Sequence, residues 1–389
     1  MAGMSQISGG IHRLVAHTTL QQLAFGVCGT FSAAFLLRVG LTPAQIFLTL
    51  TAMLAARFAF RPLVLVLAPR FGLQRLLIAG TILSAMQYVQ LAAVRGIDSA
   101  LLGYCVITAV ANTFYWTSYH ALFALVGASE RRGRQVGVRQ VLSAGAGVVG
   151  PLIGGTILTL AGPWAAFGTA ALVACAAALP LRGVTAPDVP RRAPAGAYAA
   201  SRKSLLLFAT DGWIMSTAAP AWSIIMFQAL GGRYDSFGLA VATAAFAGAV
   251  GGMVFGFFID RGNAQQAVLL NAALVAAALV MRIGCGSGPT PIFITAILST
   301  LLSGAYVTLL MTAVYDETKG APCAFRTQFA AEGGWDVSGA IASLAAAAIA
   351  ACGLPLQWAI AIALFGVGVQ FCLLKQSYRQ RLRRTATPA

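Results

Sequence analysis

Twelve apolar runs, each close to the length that crosses a membrane and separated by short polar turns, decide what this 389-residue chain can become. A hydrocarbon-spanning helix needs about 20 residues. The runs fall at about Leu14–Val39, Pro43–Pro69, Arg75–Val94, Ser99–Val126, Gln135–Leu160, Pro163–Leu181, Ser204–Leu230, Ser236–Ile259, Gln265–Ile283, Pro291–Val314, Phe325–Ala351 and Leu356–Leu374. Inside hydrocarbon every backbone N–H and C=O must be satisfied by the protein itself, which leaves helices or closed barrels. Barrel strands are short and alternate polar with apolar residues. Here the apolar character is continuous, so the helical solution applies. Charged residues make up 9% of the chain, against about 25% in a soluble domain, too few to cover a water-facing surface. The prediction is an all-α membrane protein with 12 transmembrane helices.

The net charge of +16 does not indicate a nucleic-acid partner, because the basic residues crowd into alternate turns. With the N-terminus inside, Arg13, Arg70, Arg75, Arg131, Arg132, Arg134, Arg191, Arg192, Arg202, Lys203, Arg261, Lys319, Lys375 and the tail arginines share the inner side. Only Arg38, Arg95, Arg233 and Arg282 fall outside. Cytoplasmic loops carry such an excess, so both termini are expected in the cytoplasm of a multi-pass inner-membrane protein. The compact loops suggest a bacterial source. The seven cysteines are scattered through apolar runs without a CxxC pair, which reads as small hydrophobes. No signal-peptidase site follows the first run, so that run is expected to stay as an anchor.

The longest hydrophilic connection, VTAPDVPRRAPAGAYAASRK, is rich in Pro and Ala and reads as a mobile cytoplasmic linker. It divides the chain into residues 1–182, a linker at 183–203, residues 204–374 and a basic tail at 375–389. The two six-helix halves echo each other. SYHALFALVGASERRG at the end of the fourth run aligns with AYVTLLMTAVYDETKG at the end of the tenth, pairing Tyr119 with Tyr306 and Glu130 with Glu317. Internal repeats of this kind mark secondary-transporter folds.

Three features together resemble the major facilitator superfamily. They are the six-plus-six arrangement around a basic linker, the loop signature Gly256–Asp260–Arg261, and the fifth run GVRQVLSAGAGVVGPLIGG. In that run Gly137, Gly150, Pro151, Gly154 and Gly155 follow a spacing that resembles the drug–proton antiporter branch. Small residues let helices approach closely and a proline bends them, so ordinary tight packing is the plainer reading of the same residues. The resemblance implies a pseudo-symmetric fold, alternating access, monomeric function and export by proton antiport. The chain also departs from the pattern. Leu65 and Pro69 stand where the first loop signature would have Gly and Asp, and the fourth run has no Arg. Proton coupling therefore cannot be carried over through that arginine.

The second run, TPAQIFLTLTAMLAARFAFRPLVLVLAPRFG, holds Arg57 and Arg61 in its interior. Four-residue spacing places them on one helix face, about 40° apart. The eleventh run, RTQFAAEGGWDVSGA, holds Glu332 and Asp336 at the same spacing. Depths counted at about 1.5 Å per residue match Arg61 with Glu332 and Arg57 with Asp336. These are the expected interdomain ion pairs, forming a gate that is closed when paired and open when parted. Static neutralisation within each half and direct binding of an anionic substrate are the other readings.

In the fourth run, Asn112, Tyr115, Trp116 and Tyr119 occupy one face about 80° wide, with His120 at its edge. They lie too deep for an interfacial belt and read as a cavity wall for an organic solute. Interhelical hydrogen bonding is the plainer alternative. Tyr306, Trp213, Trp222 and Gln21 are further substrate-binding candidates. Asp211, an acid within a membrane run, is a coupling candidate by default, although its shallow position also permits an N-cap role. His120 could exchange protons near neutral pH. No catalytic, phosphate-binding or metal-ligating constellation emerges, so neither an enzyme nor a cofactor is expected. The expectation is a secondary transporter of a small organic solute, with the proton as coupling ion, the bilayer as environment and export slightly ahead of uptake. An importer of a metabolite or metal chelate, or a sensor or enzyme on the same scaffold, are the alternatives.

Overall fold

The computed structural model describes the backbone of residues 2–126, 132–185, 187–261 and 264–386, and side chains over 10–125, 141–185, 187–255 and 266–379. Every regular element among them is a helix. The first span is α1 (Ala2–Val27) and α2 (Ser32–Arg38), joined by a 3-10 turn at Gly29–Phe31. The second is α3 (Pro43–Phe60) and α4 (Pro62–Phe71). Then come α5 (Leu73–Ala93), α6 (Ser99–Val126), α7 (Arg132–Leu160) and α8 (Gly162–Ala177). The linker carries the single turn α9 (Ala197–Ala200). After it follow α10 (Arg202–Ala229), α11 (Tyr234–Arg261), α12 (Ala264–Ile283), α13 (Pro289–Leu302), α14 (Tyr306–Gly320), α15 (Ala324–Ala351), α16 (Gln357–Ala361) and α17 (Ala363–Ala386). The pairs α13–α14 and α16–α17 each make one broken span, which restores the predicted twelve.

Eleven of the described segments are long and apolar enough to cross a membrane. The exception is α10. At 28 residues it is long enough, but its middle carries Thr210, Asp211, Ser216 and Thr217. Thr210, Ser216 and Thr217 are buried. The helix hides polar groups against its neighbours rather than showing an apolar surface to lipid, so an averaged hydropathy undervalues it.

Local chemistry sets the breaks. Thr42 caps α3, accepting from the Gln45 N–H at 3.3 Å while its own N–H donates to Gln45 Oε1 at 2.8 Å, with Pro43 in the first turn. This is a capping box. Pro62 cannot donate to the Phe58 carbonyl. The Arg61 N–H bonds that carbonyl instead at 3.2 Å, and the helix breaks into α3 and α4 there. Asp98 starts α6, accepting from the N–H of Leu101 at 2.8 Å and of Arg95 at 3.1 Å.

The fifth-span glycines act as packing contacts. A Cβ on Gly150 would stand 2.8 Å from the Gly26 Cα of α1, and one on Gly155 would stand 2.6 Å from the Tyr234 carbonyl oxygen at the start of α11. Gly154 likewise meets α1, and Pro151 lies within α7 between these contacts. So α7 is clamped to its own half on one face and to the other half on another, while α3 and α15 form the second large contact between the halves. Gly137, Asp260 and Arg261 lie outside the residues whose side chains are described.

The linker is not free. Val189, Ala197 and Ser201 are buried. Arg326, at the start of α15, donates from Nη2 to the Arg191 carbonyl at 3.1 Å and from Nη1 to Tyr198 Oη at 3.3 Å. Ser201 Oγ donates to Thr327 Oγ1 at 3.3 Å. The mobile strand read from composition is therefore a docked strap, because a buried arginine takes its hydrogen-bond acceptors from it.

Candidate functional site

Arg57 of α3 and Arg61 at the α3–α4 junction reach toward α15 and meet Glu332 and Asp336. All four are almost completely buried, from 5% exposed at Arg57 to 0% at Asp336. Arg57 Nη2 donates to Glu332 Oε2, and Arg61 donates from Nε at 2.9 Å and from Nη2 to Asp336 Oδ2. The pairs expected from depth are also present, with Arg57 Nε 3.0 Å from Asp336 Oδ1 and Arg61 Nη2 4.0 Å from Glu332 Oε2. The result is one crossed four-charge cluster in which the hydrogen-bonded partners are the exchanged ones. A guanidinium arm is long enough to cover a full helical turn of about 5.4 Å, so depth alone does not select its partner.

The cluster is held by a third helix. Arg61 Nη1 donates to Thr117 Oγ1 at 3.0 Å, and Thr113 Oγ1 donates to the Arg57 carbonyl at 3.2 Å, both from α6. His120 Nε2 lies 3.5 Å from Glu332 Oε1, and its Nδ1 is hydrogen-bonded to Tyr315 Oη of α14 at 2.8 Å. His120 thus bridges an acid on α15 and a phenol on α14. The Phe123 and Tyr315 rings close the same side, with centroids 5.3 Å apart.

A second acid connects to this group. Asp211 accepts from Tyr306 Oη at 2.7 Å and from Trp335 Nε1 at 2.9 Å, and Gln370 Nε2 donates to Tyr306 Oη at 3.1 Å. The Arg57 guanidinium lies 5.3 Å from the centre of the Trp335 ring. Asp211 stands nine residues inside α10, about 13 Å along the axis, so the N-cap reading of it is wrong. α10 begins at Arg202 after Ser201.

The aromatic face of α6 divides. Trp116 stacks on His120, with centroids 5.4 Å apart and planes 22° apart, and remains 37% exposed. Tyr115 and Tyr119 stack on each other and pack on His17 of α1, where Thr18 Oγ1 donates to Tyr119 Oη at 3.3 Å. Asn112 is part-buried on the Trp116 side, and Gln21 has a buried Oε1 without a hydrogen bond among the described residues. Trp213 points away from the centre, donating from Nε1 to the Ile362 carbonyl at 2.8 Å. It is two residues from Asp211, or about 160° around the helix. Trp222 is buried beneath the guanidinium of Arg282.

Sequence reasoning missed Thr113, Thr117, Tyr315, Trp335 and Gln370. Trp335 adjoins Asp336, and Thr113 and Thr117 are four apart on α6 facing α3, yet uncharged residues carry no signal until their neighbours are known. Among the described residues, no three His, Cys, Asp or Glu side chains gather as a metal site.

The family model described as Major Facilitator Superfamily matches residues 17–319. No curated protein matches the chain. Among solved structures, the E. coli fucose:proton symporter is 13% identical, with a TM-score of 0.65 over 94% of this chain and 98% of that one. A structure of the same symporter in the outward conformation is 14% identical, with a TM-score of 0.67 over 94% and 98%. The human organic anion transporter TETRAN is 16% identical, with a TM-score of 0.67 over 95% and 99%. At these identities the likeness to the solved structures concerns the fold.

Proposed function

The chain belongs to the major facilitator superfamily, and from that premise we propose that it is a proton-coupled secondary transporter of a small organic solute whose gate is the four-charge cluster. Residues 1–182 and 204–374 rock about the α3–α15 and α7–α11 contacts, with the linker side facing the cytoplasm of the inner membrane. The observation that carries this reading is the position of Arg57, Arg61, Glu332 and Asp336. Two cations from one half and two acids from the other are buried at the seam, where removing one partner leaves an uncompensated charge. Parting the halves exposes all four to water. Protonation of Glu332, beside His120, weakens the latch and couples opening to a proton. Trp116, Asn112 and His120 line the solute side of α6, with Tyr306 and Asp211 facing from the other half. Export is preferred to uptake only on the likeness of the α7 glycine–proline spacing to the drug–proton antiporter branch.

The test uses purified protein in liposomes, with a pH-sensitive dye inside and a panel of small organic compounds outside. The reading expects a compound-dependent proton flux that disappears in Asp336→Asn and Asp211→Asn. Solute movement with no proton flux would remove the coupling and leave a uniporter. Absence of any flux across a panel that nevertheless binds would favour a sensor.

A further inference from the structure

Arg282, near the end of α12, was expected among the outer loops, but its side chain turns into the second half of the molecule. Nε donates to Ser299 Oγ at 2.9 Å, Nη2 donates to Thr300 Oγ1 at 3.4 Å, and Cζ lies 5.3 Å from the centre of the Trp222 ring. Arg57 and Arg61 each meet two carboxylates. Arg282 meets none within 4.0 Å among the described residues, and no charged group bears on it. A cation withdrawn from water without a counter-charge is costly. Two hydroxyl oxygens and an indole face offset only part of that cost. Among the described residues the Arg282 hydrogen bonds come from Nε and Nη2, and Nη1 has no partner.

Arg282 is one residue from the end of α12, and its guanidinium reaches inward along the neighbouring helices. Ser299 is ten residues inside α13, about 15 Å along its axis, and Trp222 is seven residues from the end of α10, about 10 Å. A guanidinium without a counter-charge, with an N–H left over and a flat aromatic wall beside it, matches the planar fork of a carboxylate. We propose that Arg282, Ser299, Thr300 and Trp222 form a recognition site for the carboxylate of a small organic anion, entered from the side opposite the linker. That the anion is cargo rests on the transporter reading above. That it binds does not.

The experiment measures thermal unfolding of the full chain in phosphatidylcholine bilayers with sodium benzoate or with benzamide, its uncharged counterpart. Benzoate near tenfold its dissociation constant should raise Tm by about 2 °C or more, and benzamide should leave it unchanged. The benzoate shift should vanish in Arg282→Gln. In Arg282→Lys, which keeps the charge and loses the fork, it should fall about threefold, and this variant carries the test where Arg282→Gln does not fold. Equal shifts with benzoate and benzamide in the wild type, or an unchanged benzoate shift in Arg282→Lys and Arg282→Gln, would overturn the site. If phosphatidylglycerol alone raises Tm through Arg282 and benzoate then adds nothing, the ligand is a lipid headgroup and the carboxylate assignment fails. Arg282-dependent benzoate binding without flux of any compound would sink the transporter reading and leave the site standing.

Discussion

The indole of Trp335 donates a 2.9 Å hydrogen bond from Nε1 to Oδ2 of Asp211, tying α15 to α10 at the level where Trp335 also faces the Arg57 guanidinium. One residue therefore touches both polar groups of the site, the four-charge cluster and the Asp211–Tyr306–Gln370 set. Trp335→Phe keeps an aromatic face for Arg57 and removes only the donor to Asp211. A typical intramolecular hydrogen bond contributes about 0.5–1.5 kcal/mol, so the variant should unfold at lower temperature. It should also lose transport more severely than stability. A Trp335→Phe protein with wild-type Tm and wild-type flux would remove Asp211 from the connected site.

The crossed cluster makes a distinct statement about coupling energies. Removing one partner from a buried ion pair costs about 3–5 kcal/mol, so Arg61→Ala and Asp336→Ala should each be strongly destabilising. Because Arg61 donates twice to Asp336 but lies 4.0 Å from Glu332, the double-mutant cycle for Arg61 with Asp336 should show the larger coupling. Arg57, hydrogen-bonded to Glu332 and in ion-pair range of Asp336, should couple more strongly to Glu332. Additive losses for Arg61 and Asp336 would mean that the pair is not energetically formed.

How much of this was legible in the sequence follows from what each signal depends on. The spans were readable because hydrocarbon length and backbone satisfaction act on composition alone. Arg57, Arg61, Glu332 and Asp336 were readable because an intramembrane charge is costly enough to need a partner, and equal spacing on two helices suggested one. Their exchanged pairing was not, since it depends on arm length and on Thr117 holding Arg61 from the side. The shared aromatic face of α6 failed as a unit because α1 packs against one edge of it and takes Tyr115 and Tyr119. Trp213 was misplaced by treating neighbours in sequence as neighbours on a helix. The strap came from Arg326, whose acceptors are backbone and phenol oxygens that composition does not reveal.

The docked linker can be tested with a protease. Arg191 and Arg192 are exposed cleavage points, but the Arg191 carbonyl is held by Arg326 and Val189 and Ala197 are buried on either side. Cleavage requires local opening of the backbone. Arg326→Ala should speed trypsin cutting at these two sites several-fold, while Arg326→Lys, which can still reach one acceptor, should fall between. Identical cutting rates in all three proteins would show that the strap is not held by this arginine.

The start of α6 carries a pH dependence of known sign. The Leu101 N–H, and after it the Arg95 N–H, hold the Asp98 carboxyl below its ordinary range. A group with a depressed folded pKa binds fewer protons folded than unfolded between the two values, so stability rises with pH there. The contribution of Asp98 is present above the usual carboxylate pKa of about 4 and is lost as pH falls through the lower folded value. Asp98→Ala, which removes a helix cap, should therefore lower Tm at neutral pH, and the gap from the wild type should shrink as the buffer is acidified below pH of about 4. A gap that stays constant across that range would assign the effect to lost packing rather than to the charged cap.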